Sequence, residues 1–293
     1  MRVFNFMKYK NIWFSISGLV LAIGLVFLLI NGGLNYGIDF TGGTSITVDF
    51  GKQYDIEKVR DIVSKFDENA IVTYAGNDKD LAIIKTNVGF DVQKQGEIKK
   101  SFKENLGVEE TNIQIEFIGP SIGNELMKKA IIALVLANLG ILLYVTIRFE
   151  WKLGLSAIVA LLHDVLIMIA AYAIFQIPAS SSFLAALLTI IGYSINDTIV
   201  IFDRMRENMK SNKKMSDDEL VNVSTSQCIT RTMNTFGTSF VTILALYIFG
   251  VPAIRDFALP MIVGMISGVY STVFIASPVW VMLRKRSKLA SNH

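Results

Sequence analysis

The sequence predicts an α-helical polytopic membrane protein. Six transmembrane helices are arranged as one, a gap, then five, with a small α+β domain of ferredoxin-like (βαββαβ) order in the gap. Three observations carry this. The 293-residue chain is 52% hydrophobic, with a mean hydropathy of +0.47. Only 18% of it is charged, against about 25% in an ordinary soluble protein. The charge is also unevenly placed: long uncharged stretches alternate with short basic ones, and most Asp and Glu fall in a single segment after the first stretch. This composition argues against a soluble enzyme and a disordered scaffold. A net charge of +3 is too small to imply a nucleic-acid partner. The single cysteine, Cys228, leaves no intrachain disulfide, and the sequence spells no metal cluster.

The expected organisation has three parts. Residues 1–36 hold a cytoplasmic N-terminus and the first span, 37–123 the extracytoplasmic α+β domain, and 124–293 a five-helix bundle with a cytoplasmic C-terminus. A span needs about 20 mostly apolar residues. Residues 12–30 meet this without a charge. Lys8 and Lys10 precede them, as in a signal peptide, but the stretch is too long and no small-residue cleavage site follows, so it reads as a retained anchor. Further spans are expected at 130–147, 153–175, 183–202, 228–249 and 257–283. The short segments containing Arg148, Lys152, Arg204, Arg206, Lys210, Lys214, Arg284 and Lys285 place one side of the bundle in the cytoplasm. Lys128 and Lys129 are exceptions, just outside the second span.

Within the gap, residues 45–50 alternate like a strand. Residues 55–66 put Ile56, Val59, Ile62, Val63 and Phe66 on one helical stripe behind an Asp55 cap. Strands follow at 70–75 and 81–86, a polar helix at 91–106 stopped by Gly107, and a last strand at 112–118. The order is that of a split βαβ unit. It contains no nucleotide loop, carboxylate pair or Ser-His-Asp set, so a docking module is expected and not an enzyme.

Ionisable residues within spans carry most of the functional information, because a bilayer makes each costly. Asp197 lies in the inner half of the fourth span, seven residues before Arg204, or roughly 10 Å along a helix. Arg231 lies at a comparable depth in the fifth. Thr189, Tyr193, Asn196 and Asp197 form a polar stripe at helical spacing, and Arg231, Asn234, Thr235, Thr238 and Thr242 form another. Packing the stripes together would pair Asp197 with Arg231. One reading is a structural ion pair. The other is a proton path: low dielectric favours the neutral carboxyl, a nearby guanidinium favours the charged one, and helix movement switches between them. Asp164 is a further relay or structural candidate in the third span, and His163 beside it reads as a hydrogen-bonded bundle residue. Gly264 and Gly268 form a GxxxG in the last span, which permits close helix contact.

Several motifs resemble the SecD/SecF family of protein-export membrane subunits. YGIDFTGGT (residues 36–44) supplies Gly37, Asp39, Gly42 and Gly43. IGPSIG (118–123), YVTIRFEWK (144–152), HDV (163–165), IGYSINDTIVIFDRMREN (191–208) and GVYSTVFIASP (268–278) follow in order. The resemblance covers nearly the whole chain. It implies a resistance-nodulation-division type of membrane fold in the bacterial cytoplasmic membrane. The short outer domain is similar to that of the family's smaller half, whose partner is SecD. The pair is implied to associate with the SecYEG channel and, in many bacteria, YajC and related insertion factors. It acts on a translocating preprotein in late steps of export, driven by the proton-motive force, with sodium serving some relatives. The family's membrane acid and arginine fall on Asp197 and Arg231. No cofactor is implied. The competing readings are half of a stand-alone proton-driven exporter of the same fold and a purely structural membrane adaptor.

Overall fold

The computed structural model describes residues 3–76, 79–212 and 214–290. Helix α1 (Lys10–Ile30) leads through Gly32 and Gly33 to a short helix α2 (Ile38–Thr41) and strand β1 (Gly43–Asp49). Helix α3 (Ile56–Val63) begins where the Asp55 carboxylate accepts from the Glu57 N–H at 3.1 Å. Strands β2 (Ile71–Ala75) and β3 (Leu81–Thr86) follow. Helix α4 (Val92–Leu106) is capped by Asp91, which accepts from the Lys94 N–H, and it ends at Gly107 with φ of 68°. Strand β4 (Ile113–Ile118) completes a four-stranded antiparallel sheet in the order β2-β3-β1-β4. Ile46 pairs with Ile84 on one side and Ile115 on the other. Alternation puts Ile46, Val48, Val72 and Ile84 on one face, where Val59 and Ile62 of α3 and Ile98 and Phe102 of α4 bury them.

The chain then enters α5 (Pro120–Arg148), α6 (Trp151–Phe175), α7 (Ser181–Ser211), α8 (Asp217–Phe249) and α9 (Pro252–Ser271). A π-helical segment (Thr272–Ala276) joins α9 to α10 (Ser277–Ala290) as one long helix. Among the described residues six helices are long and apolar enough to cross a membrane. The protein is therefore a multi-pass membrane protein. Four of the six begin or end well beyond the apolar stretches. Helix α5 starts at Pro120 and not near 130, α7 runs to Ser211, α8 starts at Asp217 where Ser216 caps the Glu219 N–H, and the last helix already starts at Pro252. Hydropathy detects only the apolar part of a helix, whereas hydrogen bonding and caps carry it on through polar sequence.

Burial separates a centre from a periphery. The most apolar windows of α5 and α8 are each 6% buried, against 61% for the last span. Helices α6, α7 and α9 form the centre around Met168, Ile190 and Met265, with Trp280 of α10 fully buried at its far end. The GxxxG lies on the α7–α9 contact: a Cβ on Gly264 would sit 2.5 Å from Ile190 Cγ1 and 2.9 Å from Met168 Sδ. Gly264→Leu is expected to destabilise the bundle by about 1–3 kcal/mol through overpacking. Gly140→Ala on the open side of α5, where an added Cβ meets nothing within 4 Å, should be neutral or slightly stabilising. Thermal unfolding of both variants in detergent tests the contrast, and equal behaviour would remove the close-contact account.

Candidate ion-coupling site

Asp164 sits on α6 at the centre of the bundle and is 1% exposed. Ser194 of α7 donates to its Oδ2 at 2.7 Å, Ser271 of α9 to the same oxygen at 2.8 Å, and Ser267 to Oδ1 at 2.6 Å. His163 Nδ1 approaches Oδ1 at 3.2 Å, and its Nε2 lies 3.0 Å from Ser17 Oγ on α1. Ser17 in turn meets the Tyr270 hydroxyl at 3.3 Å, and Tyr270 donates to the Trp13 carbonyl at 2.6 Å. One buried acid thus gathers groups from α6, α7 and α9, and through His163 the network reaches α1. Hydrogen bonds of this kind compensate a polar group that hydrocarbon cannot solvate.

Asp197 lies one turn further along α7 than Ser194, about 4.5 Å in rise. It is 4% exposed, and its Oδ2 has no hydrogen-bond partner among the described residues. Its neighbour Thr198 meets Thr272, the first residue of the π-helical segment, at 2.8 Å between hydroxyls. Extra residues in a helix of this type re-aim side chains and often mark functional positions.

The expected contact between Asp197 and Arg231 differs from what the structure contains. No ion pair within 4.0 Å joins them among the described residues. Arg231 is exposed and lines a cavity of about 490 Å3 with Arg148, Asp203, Arg204, Glu207 and Gln227. The acids there are taken by other arginines: Arg148 pairs with Asp203 at 3.5 Å and Arg204 with Glu207 at 2.7 Å.

The stripes are also split by helix rotation. Tyr193 turns toward α8 and its hydroxyl donates to the Thr235 carbonyl at 3.4 Å. Asn196 is exposed, because it is offset by about 100° from buried Asp197. Thr189 and Gly192 on α7 and Arg231, Asn234, Thr238 and Thr242 on α8 are exposed as well, so both helices present an uncovered polar face. Sequence reasoning missed Ser194, Ser267 and Ser271. The available signal was Ser267 and Ser271 at i and i+4 in an otherwise apolar span.

The glycine-rich segment before β1 contacts the bundle at the α+β domain's end. Gly37 N–H donates to the Ala179 carbonyl and Ala179 N–H to the Asn35 carbonyl, both at 2.7 Å. The Asp39 carboxylate accepts from the Ser181 N–H and hydroxyl, both at 2.6 Å. Gly42 and Gly43, with φ of 77° and 145°, turn the chain from α2 into β1 through a conformation that other residues rarely adopt. Among the described residues no group of three or more His, Cys, Asp and Glu could hold a metal ion.

These features define a class: polytopic helical membrane proteins with a small α+β domain seated on one end and acids buried among the spans. Residues 97–286 match the C-terminal region of the protein export membrane proteins SecD/SecF, and residues 27–53 match the SecD/SecF GG motif. The chain belongs to the SecD/SecF family. It is 37% identical over 276 residues to protein translocase subunit SecF of Haemophilus influenzae, covering 93% of this chain and 83% of that one. It is 36% identical over 287 residues to protein translocase subunit SecF of Escherichia coli O157:H7, covering 96% and 88%. Among solved structures, SecDF from Thermus thermophilus, described as a translocon-associated membrane protein, matches with a TM-score of 0.85 at 34% identity over 97% of this chain. SecDF in a super-membrane-facing form matches with a TM-score of 0.74 at 32% identity over the full chain. This chain spans only 39% and 40% of those two longer chains.

Proposed function

We propose that this chain is a subunit of the Sec protein-export machinery. With SecD it uses the proton-motive force to promote late steps of preprotein translocation across the bacterial cytoplasmic membrane through SecYEG. YajC and related insertion factors are further partners. One span precedes the α+β domain and five follow it, with both termini cytoplasmic and the ferredoxin-like domain outside. The chain performs no covalent chemistry. Its task is to bind and release an ion, a proton in the first instance, at Asp197.

The observation that carries this reading is the unpartnered, buried oxygen of Asp197 beside an open polar face on α7 and α8, in a member of the SecD/SecF family. Lipid does not satisfy Asn196, Arg231 and Asn234, and a second helical half, SecD, covers them. Asp197 itself lies buried behind that face, and Arg231 supplies the fixed charge, since a guanidinium is not deprotonated in proteins. Recovery of the chain from membranes together with SecD and SecYEG is the expected result. Recovery alone would count against this assignment.

Topology gives a separate test. A single thiol at Lys52, in the α+β domain, is expected to react with an impermeant reagent added outside, and one at Lys210, at the far end of α7, only from inside. Labelling of both from the same side would overturn the orientation.

A further inference from the structure

The Asp39 carboxylate reaches the first turn of a helix 142 residues away in sequence. Its oxygen accepts from both the Ser181 N–H and the Ser181 hydroxyl, which places a negative charge on the positive end of the 31-residue helix α7. Beside it, the paired bonds of Asn35 and Gly37 with Ala179 form a short parallel bridge, Tyr36 opposite Ala179. Asn35 Nδ2 adds a bond to the Gln176 carbonyl at 2.9 Å.

This contact is narrow. A cavity of about 260 Å3, bordered by Asn35, Tyr36, Asp67, Asn69 and Asn87, lies on one side of the bridge. Another of about 300 Å3, bordered by Asp39, Lys85, Glu116, Tyr172 and Asp256, lies on the other. Across the second cavity the domain's link to α9 is Lys85 to Asp256 at 3.6 Å, an exposed pair of little strength. The domain is therefore not packed broadly onto the bundle at this point. Asp39 holds it to the first turn of α7, the bridge holds it to Ala179 just before that helix, and Phe40 of α2 lies against Gly123 of α5.

We propose that Asp39 is a clasp, a positioning residue that fastens the α+β domain to α7. Displacement of the domain is then delivered along a rigid helix to Asp197, sixteen residues or about 24 Å from Ser181. The delivery step rests on the proposed ion coupling at Asp197; the clasp itself does not.

The test uses the full chain assembled with its partner in vesicles. Three readouts are followed: amide exchange at Ser181 and Ser182, the distance between spin labels at Lys52 and Phe175, and export driven by an imposed proton gradient. Asp39→Ala is expected to speed the Ser181 exchange about tenfold, as loss of a helix cap does, to broaden the label distance at least twofold, and to lower gradient-driven export. Asp39→Asn keeps an acceptor oxygen of the same reach without the charge and should fall between; it serves where alanine prevents assembly. In unlabelled Asp39→Ala, oxidation of a Tyr36→Cys/Ala179→Cys pair should restore export, and reduction should remove it again. A residue needed only for folding would not give this reversible rescue. Unchanged exchange and label distance in Asp39→Ala and Asp39→Asn would overturn the clasp, as would a disulfide that forms without restoring export. Absence of gradient-driven export in the unmutated complex would instead refute the ion coupling, while exchange and distance still decide the clasp.

Discussion

Asp197→Asn is expected to abolish gradient-driven export in vesicles containing equal amounts of assembled complex, while the chain stays folded and bound to SecD. Asparagine keeps the shape of the side chain and part of its hydrogen bonding, but it neither takes up nor releases a proton. The site tolerates the change because Asp197 makes no ion pair within 4.0 Å among the described residues, so no guanidinium is stranded at contact distance. Arg231→Ala should also fail, for a different reason: it removes the fixed charge that draws the ionised form, and a carboxyl group alone in low dielectric holds its proton. Arg231→Lys retains charge without the planar fork, and its activity separates charge from geometry. A purely structural pair predicts another pattern. Both single variants would lose assembly, and Asp197→Asn combined with Arg231→Gln would recover part of it. Full gradient-driven activity in Asp197→Asn would end the proton-switch proposal.

Asp164→Ala is expected to act on stability at least as strongly as Asp197→Asn acts on transport. It removes the common acceptor of Ser194, Ser267 and Ser271 and the neighbour of His163, leaving several buried polar groups unpaired. At about 1–3 kcal/mol for each unsatisfied group, partly relieved by turning hydroxyls to helix carbonyls, the loss should come to roughly 3–5 kcal/mol. Asp164→Asn is instructive because its NH2 group would face hydroxyls that already donate, so only part of the network can re-form. Ser194→Ala, by contrast, should cost only about 1 kcal/mol. The check is yield and thermal unfolding of the purified chain with each substitution. Equal stability of Asp164→Ala and the unmutated chain would show that the serine cage carries no structural load.

The spans were legible because a bilayer imposes a length and a polarity that hydropathy reads directly. Their ends were not, since Ser216 and Pro120 start helices in polar sequence that the bilayer does not dictate. The α+β domain was legible from alternation in residues 45–50 and 81–86 and from the caps Asp55 and Asp91, all local signals. The site was legible only in part. Cost alone singled out Asp164, Asp197 and Arg231, but depth along a helix does not give rotation about it. That is why Asn196 was grouped with Asp197 although the two face different surroundings. The serines around Asp164 come from α7 and α9, and Asp39 meets Ser181 across most of the chain. Contacts of that kind are properties of packing; the spacing of Ser267 and Ser271 marks a shared helix face but not the acid it meets.

The uncovered polar face of α7 and α8 also bears on how a cell must make this protein. Hydrocarbon does not solvate the exposed side chains of Asn196 and Asn234 on this face, and an amide left without a hydrogen-bond partner there costs about 1–3 kcal/mol. A copy synthesised without its other half carries that penalty for as long as it remains an orphan, with its helices poorly held at this edge. Surplus copies would be exposed to membrane proteases, and matched synthesis of the two halves would favour accumulation. The amount of this protein in a membrane is then expected to follow the scarcer half, which co-expression with and without the partner would measure.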